Sequence, residues 1–249
     1  MKNKHHGIVT GSGKGIGLAV VEKLLQEKYL ITAITRSKSK ELENLKNVYK
    51  KKLVIIYQDL EKISDLKKIF ANIFNKNQVS FLINNAGIRS RSPLNELEYE
   101  DLFKVQNINY LSPFIITKEY LKNIKKNNKI KHSIISITSI VGPRGFADLS
   151  SYAASKGALE ASMRSLAVEY GDKNVRINCI APGFVKSSYF NNFKKNKSKL
   201  YKWTLDRTPM KRWGESSEVA NVVEFLVSEK SSYITGSTIY VDGGWTAGS

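Results

Sequence analysis

Tyr152 and Lys156 stand four positions apart in Y-A-A-S-K, a spacing that puts both side chains on one face of a helix. A free phenol titrates near 10 and moves protons poorly at neutral pH. A fixed ammonium one turn away favours the phenolate and brings that value towards a useful range. Ser139 lies upstream, at the end of the β-rich run His132–Ser139, where its hydroxyl could hydrogen-bond a substrate oxygen beside the phenol. These groups suit moving a proton on and off a carbonyl or alcohol oxygen. A bare Y-x-x-x-K is more often an amphipathic helix with a solvated lysine, so its meaning rests on its surroundings.

The elements that must position these groups follow a regular order. Gly7–Thr10 reads as a short strand running into T-G-S-G-K-G-I-G, then a helix over Ile16–Lys28. Strand, glycine loop and helix N-terminus make an anion site, with backbone N–H groups and the helix dipole aimed at a phosphate. The glycines fall at Gly11, Gly15 and Gly17, not in a G-x-G-x-x-G register. Leu30–Thr35 is the next strand. An acid about twenty residues after such a loop would hold a ribose 2′-hydroxyl. Here the strand ends Thr35-Arg36 without a carboxylate, and Lys14 sits inside the loop. Two cations and no acid predict a 2′-phosphate, hence NADP(H) in preference to NAD(H).

Further strands are expected at Leu53–Tyr57, leading to Asp59-Leu60, and at Val79–Ile83, capped by N-N-A-G at Asn84–Gly87. Two more are His132–Ser139 and Val175–Ile180, the second ending Ala181-Pro182-Gly183; Ser237–Val241 is the last. Helices are expected at Ile63–Asn75, from about Glu96 to Lys126 carrying Asn109, from Tyr152 to about Tyr170, and at Glu215–Ser228. The Lys186–Arg207 segment is polar, aromatic and lysine-rich, and its position predicts a mobile lid. This alternation predicts an α/β fold: a single Rossmann-type domain over 1–249, its doubly wound parallel sheet of about seven strands covered by helices on both faces. Ligands of such sheets sit beyond the carboxyl ends of the strands, where the glycine loop, Asp59, Asn84–Gly87, Ser139 and Pro182-Gly183 all fall.

Composition bounds the remaining classes. The 249 residues carry 40 basic against 22 acidic side chains, a net charge of +18. The lysines are spread along the chain and often accompany asparagine, without an interleaved aromatic platform, so no nucleic-acid partner is expected. Phosphorylated cofactors and acidic carriers are better matches for that charge. One cysteine, Cys179, excludes an internal disulfide and fits a reducing cytosol. Neither an apolar signal region nor a run long enough to span a bilayer is present, so a cytoplasmic protein is expected. No metal ligand set is predicted.

T-G-S-G-K-G-I-G, N-N-A-G, Asn109, Ser139, Y-A-A-S-K and A-P-G, in this order and spacing, resemble the short-chain dehydrogenases/reductases. The likeness runs nearly the whole chain, through Y-I-T-G-S-T-I-Y-V-D-G-G at Tyr233–Gly244. It implies Tyr152 as acid/base, Lys156 as the group that tunes it and holds the nicotinamide ribose, Ser139 orienting the carbonyl, and Asn109 supporting a water relay. It implies Gly11, Ser12, Lys14, Gly15, Ile16 and Gly17 at the pyrophosphate, with Arg36 beyond. Asp59 and Leu60 would meet the adenine, and Asn85, Ala86 and Gly87 the adenosine ribose side. Pro182, Gly183, Val185 and Ser187 would meet the nicotinamide. The resemblance further implies a homotetramer or homodimer. Two subgroups are similar: gluconate 5-dehydrogenase-like members, with Arg89 or Arg91 as a carboxylate partner, and 3-oxoacyl-(acyl-carrier-protein) reductases, which would suit a carrier-bound substrate. Val168 stands where the carrier reductases often have arginine. A catalytically silent NADP-binding scaffold is the alternative outside enzymes, although the full Asn109–Ser139–Tyr152–Lys156 set is retained.

Overall fold

The computed structural model describes residues 5–76, 78–124, 130–187 and 190–248. Residues 1–4, Lys126 (the expected end of the long helix), Ser188 and Tyr189 of the expected lid, and Ser249 lie outside the described residues.

Seven strands, β1 His6–Thr10, β2 Leu30–Thr35, β3 Leu53–Tyr57, β4 Val79–Asn84, β5 His132–Ile137, β6 Val175–Pro182 and β7 Thr238–Val241, form one parallel sheet. Their order is β3-β2-β1-β4-β5-β6-β7, so the chain reverses direction across the sheet between β1 and β4. Two neighbouring strands whose connections leave to opposite sides open a crevice at their carboxyl ends. The central strands are buried on both faces: β1, β4 and β5 have every residue buried. That explains their continuous apolar runs, as helices cover both sides of a parallel sheet.

One face is covered by α1 (Gly15–Gln26) and α9 (Ser216–Val227), which pack Val20, Val21, Leu24 and Leu25 against Val219, Val223 and Leu226. The α9 helix starts on a capping box formed by Glu215 and Glu218, which satisfies its first N–H groups. The other face carries α3 (Leu66–Lys76), α5 (Ser112–Lys122) and α6 (Ser150–Tyr170), with Phe70, Tyr120, Leu159 and Met163 at the interior. α2 (Lys40–Tyr49) follows β2 and is capped by the Ser39 hydroxyl, which accepts from Leu42 N at 3.3 Å.

The expected long helix is not continuous. α4 (Tyr99–Gln106) passes through a wide π-turn over Asn107–Leu111 before α5 begins. Pro113 in the first turn of α5 offers no N–H, so the regular ladder cannot run through that point. Single π-turns inside helices often mark functional positions, and this one carries Asn109. β5 likewise ends earlier than expected, at Ile137, leaving Thr138 and Ser139 beyond the sheet edge. The described part of Lys186–Arg207 contains two helices, α7 (Phe190–Asn196) and α8 (Ser198–Arg207). Among the described residues no helix is long and apolar enough to cross a membrane.

Candidate active site

A cleft of about 830 Å³ follows the crevice at the β1/β4 switch point. Its walls are the glycine loop, the end of β2 from Ile34 to Arg36, Asp59 and Leu60 after β3, and Asn85–Gly87 after β4. A second cavity of about 290 Å³ borders Ile16, Asn85, Gly87 and Ser187 and ends at Ser139, Tyr152 and Lys156. Pro182, Gly183 and Val185 form its far wall. The two together have the extended shape of a dinucleotide.

The glycine loop shows why those positions lack side chains. Gly11 takes φ +66°, and a Cβ added at Gly17 would lie 2.2 Å from the Gly11 carbonyl oxygen and 2.4 Å from Asn85 Nδ2. Only glycine allows that approach. Lys14 stands at the N-cap of α1 without a side-chain cap, and the first-turn residues Gly15–Leu18 line the cleft. Their N–H groups are the donors an anion would meet. The loop is tied to β4 by Asn85, whose Nδ2 donates to the carbonyls of Thr10 (3.1 Å) and Gly11 (3.0 Å). Thr10 Oγ1 in turn accepts from Asn85 N at 3.1 Å and Ala86 N at 3.2 Å. Thr10 was legible only as the residue before the glycine loop.

Ser12 does not reach the cleft. Its side chain is wholly buried, with Oγ 3.0 Å from the Ile34 carbonyl and 3.3 Å from that of Val9, so the hydroxyl pins the loop to the sheet. Lys14 and Arg36 line the cleft, joined by Ser37, Lys38 and Lys40, which the sequence reading did not single out. Asp59 accepts from Glu61 N at 3.1 Å, a turn-capping bond, while also lining the cleft.

At the other end the catalytic candidates converge. Three hydroxyls stand close together in Ser136, Thr138 and Ser139, and the structure separates them. Ser136 accepts from Asn84 Nδ2 at 3.4 Å, and Thr138 donates to the Ile180 carbonyl at 3.0 Å. Thr138 and Ser139 both line the cavity, and Ser139 is the one whose side chain hydrogen-bonds the Tyr152 phenol. Lys156, on the same face of α6 as Tyr152, is buried and donates to the Ile137 carbonyl at 2.8 Å. Burial lowers its ammonium to about 8.

The Tyr152 phenol moves the other way from the sequence expectation. Burial raises it, opposed by the hydrogen bond from Ser139 and the charge of Arg89. Lys156 Nζ lies 6.0 Å from the Tyr152 ring centroid and is turned towards the β5 carbonyl, so desolvation outweighs it. A raised phenol keeps its proton at neutral pH and gives it up less readily than a free one.

Asn109, fully buried, clamps the segment after β4. Its Oδ1 accepts from Ile88 N at 2.8 Å, and its Nδ2 donates to the Ile88 carbonyl at 2.8 Å and to Ser155 Oγ at 3.1 Å. Gly87 is squeezed against this clamp: a Cβ there would lie 3.2 Å from Asn109 Oδ1 and 3.4 Å from Lys156 Nζ.

Beyond Tyr152 a third chamber of about 110 Å³ is lined by Ile140, Val141, Leu149, Phe146, Phe184, Phe193, Leu200 and Trp203, with the exposed Arg89 and Arg91 at its rim. Arg91 pairs with Asp148 at 3.9 Å. The sequence reading named the two arginines but not the apolar wall. The aromatic content of Lys186–Arg207 was its only advance sign, because the wall comes from four separate segments of chain. Among the described residues no group of three or more His, Cys, Asp or Glu is placed to hold a metal ion.

Residues 11–246 match the family model described as enoyl-(acyl carrier protein) reductase. A 3-oxoacyl-(acyl-carrier-protein) reductase from Buchnera aphidicola subsp. Schizaphis graminum is 35% identical over 245 residues, covering 97% of each chain. Among solved structures, 4-hydroxyisoleucine dehydrogenase complexed with NADH superposes with a TM-score of 0.92 at 29% identity, over 99% of this chain and 100% of that one. A provisionally assigned NAD(P)-dependent gluconate 5-dehydrogenase from Beutenbergia cavernae, holding NADP at low occupancy, gives 0.90 at 25% identity, over 98% of this chain and 97% of that one. The chain belongs to the short-chain dehydrogenase/reductase family. It is an oxidoreductase of that class, built to use a pyridine nucleotide.

Proposed function

We propose that this protein is an NADP(H)-dependent enzyme interconverting a ketone and a secondary alcohol, with Tyr152 as acid/base. The observation that carries this reading is the position of Tyr152, Ser139 and Lys156 at the junction between the dinucleotide-shaped cleft and the apolar chamber. NADPH, when bound, supplies the hydride. Tyr152 Oη gives the proton to the carbonyl oxygen during reduction, and Ser139 Oγ orients that oxygen. Lys156 holds the nicotinamide ribose and restores the proton, with Asn109 supporting the relay through water.

The glycine loop and the first turn of α1 take the pyrophosphate, and Lys14 and Arg36 read the 2′-phosphate. Asp59 and Leu60 meet the adenine, Asn85, Ala86 and Gly87 the ribose side, and Pro182, Gly183, Val185 and Ser187 the nicotinamide amide. The whole chain works as one catalytic domain with Lys186–Arg207 as a substrate lid. The enzyme works in the cytoplasm as a homotetramer or homodimer, supported by the exposed apolar Tyr99, Phe103 and Leu111 on the α4–π-turn face.

A 3-oxoacyl thioester is the substrate this reading favours, because most of the chamber's wall is aromatic and aliphatic. A keto sugar acid is the second reading, favoured by Arg89 and Arg91 at the rim. The test is NADPH oxidation with an acetoacetyl thioester and with 5-ketogluconate in parallel, with NADH as control and Tyr152→Phe as the silent variant. Thioester turnover that vanishes in Tyr152→Phe is the expected result. Turnover of 5-ketogluconate alone moves the substrate to the sugar acids, and unchanged turnover in Tyr152→Phe overturns the mechanism.

A further inference from the structure

The chamber beyond Tyr152 has a side chain at its outer end whose setting is more elaborate than a lid residue needs. Trp203, on α8, lines the chamber and is 39% exposed, so it stands between the cavity and the surface. Its ring meets Trp245 at a centroid distance of 5.3 Å and an angle of 68°. Trp245 is buried in the small core cluster with Ile140, Val141 and Leu149, which form the chamber's inner wall. The Arg207 guanidinium, one turn after Trp203, lies 5.5 Å from the Trp203 centroid and 5.3 Å from that of Trp245. A guanidinium held against two indole faces adds cation–π attraction to the edge-to-face contact. Both tie Trp203 to a part of the molecule that does not belong to the lid.

The size of the space behind it has a chemical meaning. An apolar cavity of about 150 Å³ holds the six carbons of benzene, so one of 110 Å³ takes about four. A substrate carbonyl beside Tyr152 and Ser139 has two arms. The chamber bordered by Tyr152 and Ser139 has room for one of them, and Trp203 is part of its wall, as are Arg89 and Arg91.

We infer that Trp203 is the specificity-determining gate of the chamber, limiting the apolar arm of the ketone to about four carbons, and that Arg207 is the positioning residue that holds it shut against Trp245. This rests on the ketone-reductase reading above and names the substrate within it: a short-chain 3-oxoacyl compound, not a long-chain one. Each methylene gained or lost in an apolar pocket changes kcat/KM by roughly 10- to 200-fold, so a closed end wall should give a steep chain-length profile.

The experiment measures kcat/KM for 3-oxobutanoyl, 3-oxohexanoyl and 3-oxodecanoyl N-acetylcysteamine thioesters, and for the matching 3-oxo ethyl esters, with NADPH. Wild type, Trp203→Ala, Arg207→Ala and Arg207→Lys are compared, with melting temperature and NADPH binding confirming that each variant is folded. The readout is the ratio of long-chain to short-chain kcat/KM, which a general loss of stability would not move. Wild type should favour the 3-oxohexanoyl chain, whose arm fits, over the 3-oxodecanoyl chain, whose arm does not, by at least about tenfold. Trp203→Ala should raise the long-to-short ratio at least about tenfold, Arg207→Ala should raise it less, and Arg207→Lys should restore it. A flat wild-type profile, or one that Trp203→Ala leaves in place, overturns the gate while the reductase reading stands. An Arg207→Ala profile identical to wild type overturns the role of Arg207. If neither series is turned over by wild type the gate falls, and 5-ketogluconate then decides the underlying reading: its turnover keeps the ketone reductase, and its absence removes that as well.

Discussion

Around the nucleotide-sized cleft the glycine loop puts backbone into the wall, whereas around the chamber the chain presents side chains. The first wall is made of Gly11, Gly15 and Gly17, the open first turn of α1, and carbonyls of Thr10 and Gly11 tied to Asn85. The second is made of rings and branched chains from the stretch after β5, α7, α8 and the β6 exit, with the arginines of the Arg89 loop beside them. A backbone wall tolerates exchange of most side chains but not the addition of one atom at the wrong place. A side-chain wall is the reverse: the frame survives substitution and the shape of the space changes. Family members can therefore share one way of holding a dinucleotide while differing in what they reduce.

The junction between the two walls should give the largest effect. Tyr152→Phe removes one oxygen and leaves in place the ring that packs against the cluster of Ile140, Val141, Leu149 and Trp245. Loss of a positioned general acid typically costs 10²- to 10⁴-fold, so kcat should fall about 1000-fold with NADPH affinity changed little. Steady-state kinetics with a tryptophan-quenching titration of NADPH separates the two quantities. A parallel loss of affinity would mean that the phenol belongs to the cofactor wall instead.

Next comes the backbone wall. Gly17→Ala puts a Cβ within 2.4 Å of both the Gly11 carbonyl and Asn85 Nδ2 unless the loop moves. A displacement of about 1 Å at a bound group can cost 100-fold, and that is the loss of NADPH affinity expected here. The same methyl at Gly145, where a Cβ would meet nothing within 4 Å, should leave affinity and melting temperature as they are. Equal behaviour of the two variants would break the distinction between the walls.

A third test uses the end of the sheet opposite the site. His132 opens β5, is buried, and shares a 2.9 Å hydrogen bond between Nδ1 and Tyr120 Oη. Burial lowers its imidazole to about 4. The folded state therefore keeps it neutral, while the unfolded chain takes up a proton near 6.5. Stability from this group is full above about 6.5 and is lost progressively as pH falls towards 4, since the unfolded state binds the extra proton over that range. Between pH 6.5 and 5 the loss is about 2 kcal/mol, at 1.36 kcal/mol per unit. Urea unfolding at the two pH values should show that difference in wild type and not in His132→Gln. An identical slope in both proteins would remove His132 as its source.

What could be read in advance follows the same physical division. The sheet, its strand positions and the cleft were legible because period, glycine placement and strand-end motifs are short-range signals. Asn109 was named, but the π-turn that carries it was hidden inside an apparently continuous helix, with only Pro113 to mark the break. Ser139 could not be told from Ser136 and Thr138, because alternation along β5 stops at Ile137 and the last two residues follow the loop. Ser12 was assigned to the cofactor from its neighbours, and its hydroxyl faces the sheet instead. The chamber was illegible: no spacing rule links Phe146, Phe184, Trp203 and Trp245, and only tertiary folding gathers them. The raised phenol has the same origin, since desolvation is a property of the assembled core and a lysine at i+4 is visible in the sequence.

The smallest effect belongs to the place where the cofactor wall uses charged side chains mostly of one sign, the cationic end of the cleft beside β2. Arg36 and Lys14 both line the cleft there, with Lys38 and Lys40 nearby and Glu41 as an opposing carboxylate. A charge-assisted hydrogen bond contributes about 1.5–3 kcal/mol where water is excluded. Arg36 is exposed, so solvent screening leaves the lower part of that range. Arg36→Ala should therefore raise KM for NADPH about tenfold and leave KM for NADH nearly unchanged, because only the first carries a phosphate for the guanidinium to meet. Raising ionic strength should narrow the wild-type preference for NADPH, and should do so less in the variant, since screening acts on the charge that has been removed. If both coenzymes weaken together, Arg36 supports the loop's shape, and coenzyme choice must then rest with Lys14 and the neighbouring lysines. If NADH is preferred by wild type from the start, the absent carboxylate at the end of β2 has been given the wrong meaning, and the adenosine end holds its ribose through Asp59 or the backbone alone.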